Sequence, residues 1–384
     1  MEEKMAERIA AVVADNIVSP LGFTTDDNYT AVKDGRTALQ RYEGPWGLPT
    51  PFAASMVQRD EVVAACEEAG ISGTFTFFEQ MVLLSVTKAL QQCDADMTSE
   101  RTLLVLSTTK GNIELLSQRE NARLLLGNTA KVIATYFHCA NDPVVVSNAC
   151  ISGLCAQIEA VRLIRAGYYD TVVVCGADVL SPFIVTGFQS LMALSEEPCR
   201  PFDEERLGIN LGDAAATIIF QAMAASELRA GQWYVKRDAI RNDAYHISSP
   251  SRTGEGCWRA LQHVLKDTNA NDIAFLNAHG TATLFNDEME SVAIDRAGLS
   301  HVPVNSLKGY FGHTMGAAGV LESAISMHAL DEGIVLGTKG FETLGVSRQI
   351  NISAEHRPTD KHAFVKMMSG FGGCNAAMVM AIGH

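Results

Sequence analysis

The residue whose setting most clearly predicts chemistry is Cys150, which stands where a β-branched run ends and a helical pattern begins. Positions 144–146 are Val-Val-Val, and the segment 152–164 has the apolar spacing of an amphipathic helix. A thiol at such a turn faces unpaired N–H groups and the positive end of the helix dipole, which lower a pKa of about 8.5. Small neighbours such as Ala149 and Gly153 leave room for an acyl chain. We therefore expect Cys150 to be a nucleophile, the alternative being a small buried apolar residue.

Two histidines and a lysine also stand next to predicted buried strands. His279 follows one strand and has hydroxyls two and four positions later, and His313 comes at the start of a helix opened by Gly and Ala. Lys308 lies five residues before His313, where it could orient that ring or tune its charge. Each of these residues alone could be structural, since buried histidines and surface lysines are common.

The elements that must position these residues follow an alternating order. Strands are predicted at 9–13, 103–107, 171–175, 214–220, 233–240, 273–278, 302–306, 349–353, 363–368 and 376–382, and helices from 26 and at 74–93, 256–265 and 287–296. This alternation predicts α/β layers around a largely buried sheet. The segment 302–330 repeats the strand, turn and helix of the Cys150 region, which indicates two similar halves. A charged stretch at 224–231 separates them, and we divide the chain at 1–228 and 229–384.

Composition limits the possible functions. The chain has 384 residues, 47% of them hydrophobic, and a net charge of -14, which disfavours nucleic acid as a partner. Its nine cysteines form no CxxC pair and lie in apolar runs, as reduced thiols do, so we expect neither disulfides nor a metal site. There is no uncharged apolar run of 18 residues, and the N-terminus is acidic where a signal peptide would be basic. A cytoplasmic protein without membrane contact is expected.

Seven motifs in order along the chain resemble those of the β-ketoacyl-acyl-carrier-protein synthases of the elongating class. They are SNACISG at 147–153, SLMALS at 190–195, RPFD at 200–203, DAYH at 243–246, NAHGTAT at 277–283, Lys308 with Gly312-His313, and GFGGCN at 370–375. Each motif is modest alone, but together they span nearly the whole chain. The sequence departs from the family pattern at 206–215, is about ten residues short between 108 and 150, and has Met192 where many members have Arg.

The resemblance implies the thiolase fold, an α/β architecture of five layers, αβαβα, built from two pseudo-equivalent halves. It implies a nucleophile at Cys150, decarboxylation histidines at His279 and His313, and supporting roles for Lys308 and Glu322. The family's oxyanion hole corresponds to the N–H groups of Cys150 and Phe371. The substrate-binding positions implied or expected around the phosphopantetheine arm are Thr281, Thr283, His246, Ser249, Phe188 and Gly372.

The reaction implied by the resemblance is a decarboxylative condensation. An acyl group held on Cys150 would join malonyl-acyl-carrier-protein to give the 3-oxoacyl product, in fatty-acid or polyketide chain elongation. No cofactor is expected beyond the phosphopantetheine of the carrier, and the protein is expected to be a homodimer or a heterodimer with a related subunit. Because the chain is acidic, carrier docking should depend on local cations; the candidates are Arg200 and Arg206, with Arg59 a third.

Two other interpretations share some of these motifs. A thiolase would share the fold and use a second cysteine near the C-terminal glycines, for which Cys374 is the candidate. The NAHGTAT run and the position of Cys374 after its glycines disfavour this reading. A chain-length-factor subunit would bind a partner without catalysis, but it would lack the nucleophile that Cys150 supplies. Within the ketosynthase reading, a specialised polyketide or polyene pathway is an alternative to fatty-acid elongation.

Overall fold

The computed structural model describes residues 8–118 and 120–383. The acidic N-terminal segment used in the sequence argument lies almost entirely outside this part of the chain. Within it, no helix has the length and apolar character needed to cross a bilayer.

The N-terminal part of the chain alternates strands with helices, as its apolar pattern predicts. Its strands are β1 (Arg8–Val18), β2 (Gln40–Tyr42), β3 (Phe52–Ser55), β4 (Thr102–Ser107), β5 (Val144–Val146), β6 (Thr171–Asp178), β7 (Leu211–Gly212) and β8 (Ala214–Ala224). Its helices are α1 (Thr25–Lys33), α2 (Arg59–Glu68), α3 (Phe77–Leu90), α4 (Leu126–Tyr136), α5 (Ser152–Arg165) and α6 (Pro182–Ser190). The predicted helix at 74–93 begins later, at Phe77, because Thr76 and Glu79 form a reciprocal capping box at its start.

The C-terminal part continues the same alternation. Its strands are β9 (Trp233–Asn242), β10 (Phe275–Asn277), β11 (Pro303–Asn305), β12 (Ile334–Val335), β13 (Asn351–Ile352), β14 (Arg357–Pro358), β15 (Ala363–Gly370) and β16 (Cys374–Ile382). Its helices are α7 (Glu255–Val264), α8 (Leu284–Arg296), α9 (Lys308–Phe311) and α10 (Ala318–Asp331). The helix expected directly after His313 begins later, at Ala318, after a short 3-10 turn.

One large sheet contains strands from both parts of the chain. Its order is β13-β11-β10-β15-β16-β9-β1-β8-β6-β4-β5. The first six of these strands come from the C-terminal part and the last five from the N-terminal part. The two sets meet at a single residue pair, Ala11 with Tyr234. The proposed boundary at 228/229 falls in the connection between β8 and β9, and we keep the division into two halves as a proposal.

Helices lie on both sides of each strand set and produce five layers. Helix α3 covers the outer face of β1, β6 and β8, and α7 covers the outer face of β9 and β16. Helices α5 and α10 pack against each other between the two strand sets. A Cβ at Gly153 of α5 would lie only 2.8 Å from the carbonyl oxygen of Gly316, so the small residues that open these helices permit their close approach. The predicted thiolase-type architecture is therefore confirmed.

Candidate active site

A strained turn between β5 and α5 presents Cys150 to a pocket. Ala149, just before it, has a φ of +46°, a left-handed conformation that alanine rarely adopts. Ser152 stabilises the turn, because its hydroxyl donates to the Ala149 carbonyl and accepts from the Asn148 N–H. A Cβ at Gly370 would lie 3.2 Å from the Cys150 backbone nitrogen, so a larger residue there would press on the turn. The Cys150 side chain stays partly exposed and lines a pocket.

The direction predicted for the Cys150 pKa is wrong. Desolvation by the surrounding protein raises the pKa of the thiol above its ordinary value. Lys110, Lys308 and the backbone N–H groups of Phe371 and Cys150 oppose this effect without reversing it. The thiol is therefore the resting form at neutral pH, and the cations and amides limit the cost of ionising it.

His279 and His313 come from different loops and meet beside Cys150. Their ring centroids lie 5.0 Å apart with the planes at 82°, and both side chains are buried. The Cys150 sulfur and a nitrogen from each ring lie within 4.8 Å of one another. Thiol and imidazole are also the usual ligands of zinc, so these three residues could hold such an ion.

The surroundings of the two rings keep both imidazoles neutral. Burial, and then Lys308, hold the pKa of each ring well below its ordinary value. In His313, Nδ1 accepts from the backbone N–H of Met315, which leaves Nε2 protonated and, among the described residues, without an acceptor. A buried donor without a partner is costly, so this N–H is ready for an oxyanion in the pocket.

Three buried ionised side chains form a cluster beneath the histidines. Lys308 and Lys366 are fully buried, and both ammonium groups contact Glu322, with 2.6 Å between the Lys366 nitrogen and Oε2. Although burial opposes ionisation, the two lysines hold the pKa of Glu322 below its ordinary value. Burial lowers the pKa of Lys366 to about 8. The predicted positions Lys308 and Glu322 are thus brought together, and Lys308 acts on His313 through its charge.

Carboxylates hold the loop that carries His279. Glu290 accepts from the backbone N–H groups of His279 and Gly280, both at 2.7 Å, and Asp287 accepts from the N–H of Thr281 at 2.9 Å. Burial raises the pKa of Glu290 to about 7 and that of Asp287 to about 6. All three hydrogen bonds are made to backbone N–H groups, so the two carboxylates position the histidine without touching its ring.

The pocket above Cys150 has a volume of about 350 Å³ and contains every predicted substrate-binding residue. The Thr281 and Thr283 hydroxyls are 2.8 Å apart, and the Phe188 and Phe371 rings lie 6.1 Å apart. His246 accepts through Nδ1 from the backbone N–H groups of Ser248 and Ser249.

Gly372 follows Phe371 with a φ of +83°, a conformation that glycine adopts freely. The Phe371 amide lies close enough to the Cys150 sulfur to stabilise a thiolate, where an oxyanion donor is needed.

The structure contradicts the docking role predicted for Arg206. Its side chain is 5% exposed, it donates to the carbonyls of Asp203 and Gly345, and it faces the buried Asp287. The prediction failed because sequence spacing does not reveal that the loop after Arg200 folds inward at this residue.

The other two arginines proposed for docking carry charges that are already paired. Arg200 contacts three carboxylates, those of Asp203, Glu205 and Glu342. Arg59 pairs with Glu114 and stacks on the Phe77 ring. Neither offers an unpaired cation to a partner.

Cys374 lies close to Cys150 but outside the pocket. It is 6% exposed, its thiol donates to the Phe371 carbonyl, and burial raises its pKa to about 12. It does not line the cavity that Cys150 lines. Its position therefore gives the thiolase alternative no support.

Residues of the site that were missed from the sequence include Lys110, Lys366 and Glu290. Lys366 had a visible signal, since a lysine within the apolar run of β15 must find a buried partner. Glu290 and Lys110 had none that is local. Lys110 follows β4, and its charge lowers the pKa of Cys150 and of His313, both of which are distant from it in sequence.

Comparison with known families agrees with this geometry. The model of the β-ketoacyl synthase N-terminal domain matches residues 7–225, and that of the β-ketoacyl synthase C-terminal domain matches residues 234–342.

Known proteins and structures resemble the chain over different lengths. The 3-oxoacyl-[acyl-carrier-protein] synthase 2 of Vibrio harveyi is 26% identical, covering 98% of this chain and 99% of that protein. The tetracenomycin polyketide synthase ketoacyl synthase alpha subunit of Streptomyces glaucescens is 34% identical, covering 63% of this chain and 61% of that protein. The ketosynthase ApeO, solved in complex with its chain length factor ApeC from Xenorhabdus doucetiae, superposes with a TM-score of 0.85 at 21% identity, covering all of both chains.

Proposed function

The chain belongs to the β-ketoacyl synthase family, and we propose that Cys150, His279 and His313 carry out its condensation of an acyl group with malonyl-acyl-carrier-protein. It is an acyltransferase of the 3-oxoacyl-acyl-carrier-protein synthase type. The observation that supports these roles is the meeting of one thiol with two neutral imidazoles within 4.8 Å, at the base of a largely apolar pocket. The phosphopantetheine arm belongs to the carrier.

The first half of the reaction loads Cys150. The sulfur attacks the carbonyl of a carrier thioester, and the N–H groups of Cys150 and Phe371 stabilise the tetrahedral oxyanion. The carbonyl bond to the carrier sulfur then breaks, and the acyl group stays on Cys150. The thiol proton passes to the departing carrier sulfur, and a neutral imidazole near the thiol can relay it.

The second half forms the carbon–carbon bond. In the bound malonyl thioester, the bond to the carboxylate breaks, CO2 leaves, and the electron pair forms an enolate. The free Nε2–H of His313, with His279 beside it, stabilises the enolate oxygen. The enolate carbon attacks the acyl carbonyl on Cys150, which leaves as thiolate and takes a proton from solvent.

The buried ions help to keep the two imidazoles neutral. Burial, together with Lys308 and Lys366, lowers the pKa of both imidazoles, so each ring stays neutral, with one nitrogen that donates and one that accepts. Glu322 balances the two lysines, which would otherwise be uncompensated charges in the interior. The cluster therefore acts through electrostatics and positioning and does not contact substrate.

We further propose a homodimer in which β5 pairs with a second subunit. This strand forms one edge of the large sheet, and Val144 on it is 36% exposed. An open edge next to the nucleophile is a natural pairing surface. A heterodimer with a related subunit in a specialised polyketide or polyene pathway is the alternative, and the relative from a tetracenomycin synthase and the ApeO complex favour considering it. Native mass spectrometry of the purified chain, alone and with co-expressed homologues, distinguishes the two.

The experiment that tests the function is intact-mass analysis of carrier and enzyme after incubation with malonyl carrier and acyl primers of increasing length. We expect one acyl group on Cys150 and a 3-oxoacyl carrier extended by two carbons, with release of CO2. Acylation at Cys374 with no dependence on malonyl decarboxylation would contradict the proposal and favour thiolase chemistry. The longest primer accepted defines the acyl specificity.

A further inference from the structure

The rim of the active-site pocket carries a concentration of exposed apolar side chains. Of the fifteen large hydrophobic residues that are exposed in the described part of the chain, six line this one pocket. We call them the apolar mouth: Leu191, Met192, Leu207, Leu284, Phe285 and Phe371. Met192 is 90% exposed, Leu207 75% and Phe285 74%, values unusual for side chains without a partner.

The apolar mouth has no charged residue to attract a partner. None of the 24 residues lining the pocket is Lys, Arg, Asp or Glu. The loop leading to Leu207 is acidic, with Glu204 and Glu205 exposed just before the buried Arg206. An acidic partner surface at this position would therefore meet carboxylates, because Arg200 is already paired with three of them.

We propose that the carrier protein docks on the apolar mouth through uncharged, apolar residues of its own, and that cations of this chain contribute little to its affinity. This inference rests on the proposed function. The pocket leads from Cys150 to the surface at these six residues, so a carrier that delivers a thioester to Cys150 must bind on top of them. Covering them removes apolar surface from water, which is the favourable term available at an uncharged rim.

One exposed cation offers an electrostatic alternative. Arg252 lies two residues after Pro250, which lines the pocket, and among the described residues it has no ion-pair partner. A surface charge acts over about 8 Å at physiological salt. Docking that depended on Arg252 would therefore weaken as salt increases, whereas apolar docking would not.

The test measures the KM for a malonyl-loaded acyl carrier protein, with a saturating free acyl-pantetheine thioester present to acylate Cys150 again after each turnover. Leu207→Asn and Phe285→Asn should each raise this KM about tenfold, the scale of losing one apolar anchor. The KM for free malonyl-pantetheine should change much less. Tyr168→Asn removes an equally exposed aromatic residue, 67% exposed and outside the pocket, and should leave both values unchanged.

Three results would overturn the proposal. The first is a KM for the carrier that increases steeply with salt. This KM would also have to increase in Arg252→Ala, or when the acidic residues beside the carrier's phosphopantetheine are neutralised. Another is an equal loss with carrier-bound and free thioester in the mouth variants. A third is a change in oligomeric state in those variants, which would show that a second copy covers the mouth. Absence of turnover with both carrier-bound and free substrates in the parent enzyme would instead contradict the proposed function itself.

Discussion

The buried cluster behind the catalytic histidines and the rim of the active-site pocket distribute charge in opposite ways. We call the buried cluster of Lys308, Glu322 and Lys366, which lies behind the two histidines and does not line the pocket, the catalytic floor. There the charges are fully buried, whereas the apolar mouth has exposed hydrophobic side chains and no charge. Charges act most strongly where water is excluded, so the floor can set the protonation of the histidines. The comparison teaches that substitutions in the floor should alter the chemical step, and those in the mouth should alter substrate capture.

The largest effect is expected at the residue where floor and mouth meet. Among the described residues, Cys150 supplies the only thiol that lines the pocket, so condensation should stop completely in Cys150→Ala. Cys374→Ser should keep acyl loading, because that thiol is buried outside the pocket. Intact mass of the enzyme after incubation with an acyl thioester measures both. Equal loss in the two variants would restore the thiolase alternative.

Replacing either histidine should impair decarboxylation selectively. His279→Ala or His313→Ala should slow release of CO2 from malonyl carrier by ~100-fold or more, the usual cost of one lost electrostatic donor. Alkylation of Cys150 by iodoacetamide should persist and serves as the folding control. Because both rings have a lowered pKa, the parent rate should not fall as pH rises through the ordinary histidine range near 6.5. Undiminished CO2 release in both variants would refute the assigned roles.

Breaking the buried cluster should cost stability. Glu322→Gln leaves Lys308 and Lys366 without their counter-ion, and we expect a loss of ~3–5 kcal/mol in the free energy of unfolding. Glu332→Gln is the matched control, since its pair with Lys33 is exposed and should contribute less than about 1 kcal/mol. Chemical denaturation of the purified variants gives both values. Similar losses in the two would mean that burial does not strengthen this cluster.

Arg206 should behave as a structural residue and not as a docking residue. Arg206→Met removes hydrogen bonds to the Asp203 and Gly345 carbonyls, at roughly 1 kcal/mol each. It also leaves the buried Asp287 without the cation that faces it. Unfolding should become easier, while the salt dependence of the carrier KM should stay as in the parent. A changed salt dependence of the carrier KM, with an unaltered free energy of unfolding, would show that Arg206 does contribute to carrier docking.

The smallest expected effect concerns the reactivity of the thiol. Since the pKa of Cys150 is raised, its alkylation should accelerate as pH rises above the ordinary thiol value. Lys110 stabilises the thiolate, so Lys110→Met should move this profile to higher pH and slow the alkylation at neutral pH. Iodoacetamide is uncharged, which keeps the probe itself insensitive to the lost cation. An unshifted profile would show that Lys110 does not act on the sulfur.

The sequence predicted the elements around the site well because their signals are local. The Val run before Cys150, the small residues after it and the helical pattern to 164 are all short-range features, and the structure has β5 and α5 there. The Gly-rich segment at 370–373 forms the turn that presents Phe371 for the same reason. Element boundaries were less accurate, as at α10, where a 3-10 turn takes up the first residues.

Residue types and motif order were enough to identify the family and to predict the nucleophile and the two histidines, because each depends on side chains at fixed spacing. The tertiary structure alone decided the raised pKa of Cys150, the burial of Arg206, the contact of Lys366 with Glu322 and the exposure of the apolar mouth. These properties depend on desolvation and on partners contributed by segments distant in sequence, such as Glu322 from α10 and Lys366 from β15. The local sequence pattern contains no information about these distances. At Cys150, burial decides whether desolvation, which raises the pKa, or the nearby cations and amides, which lower it, has the larger effect.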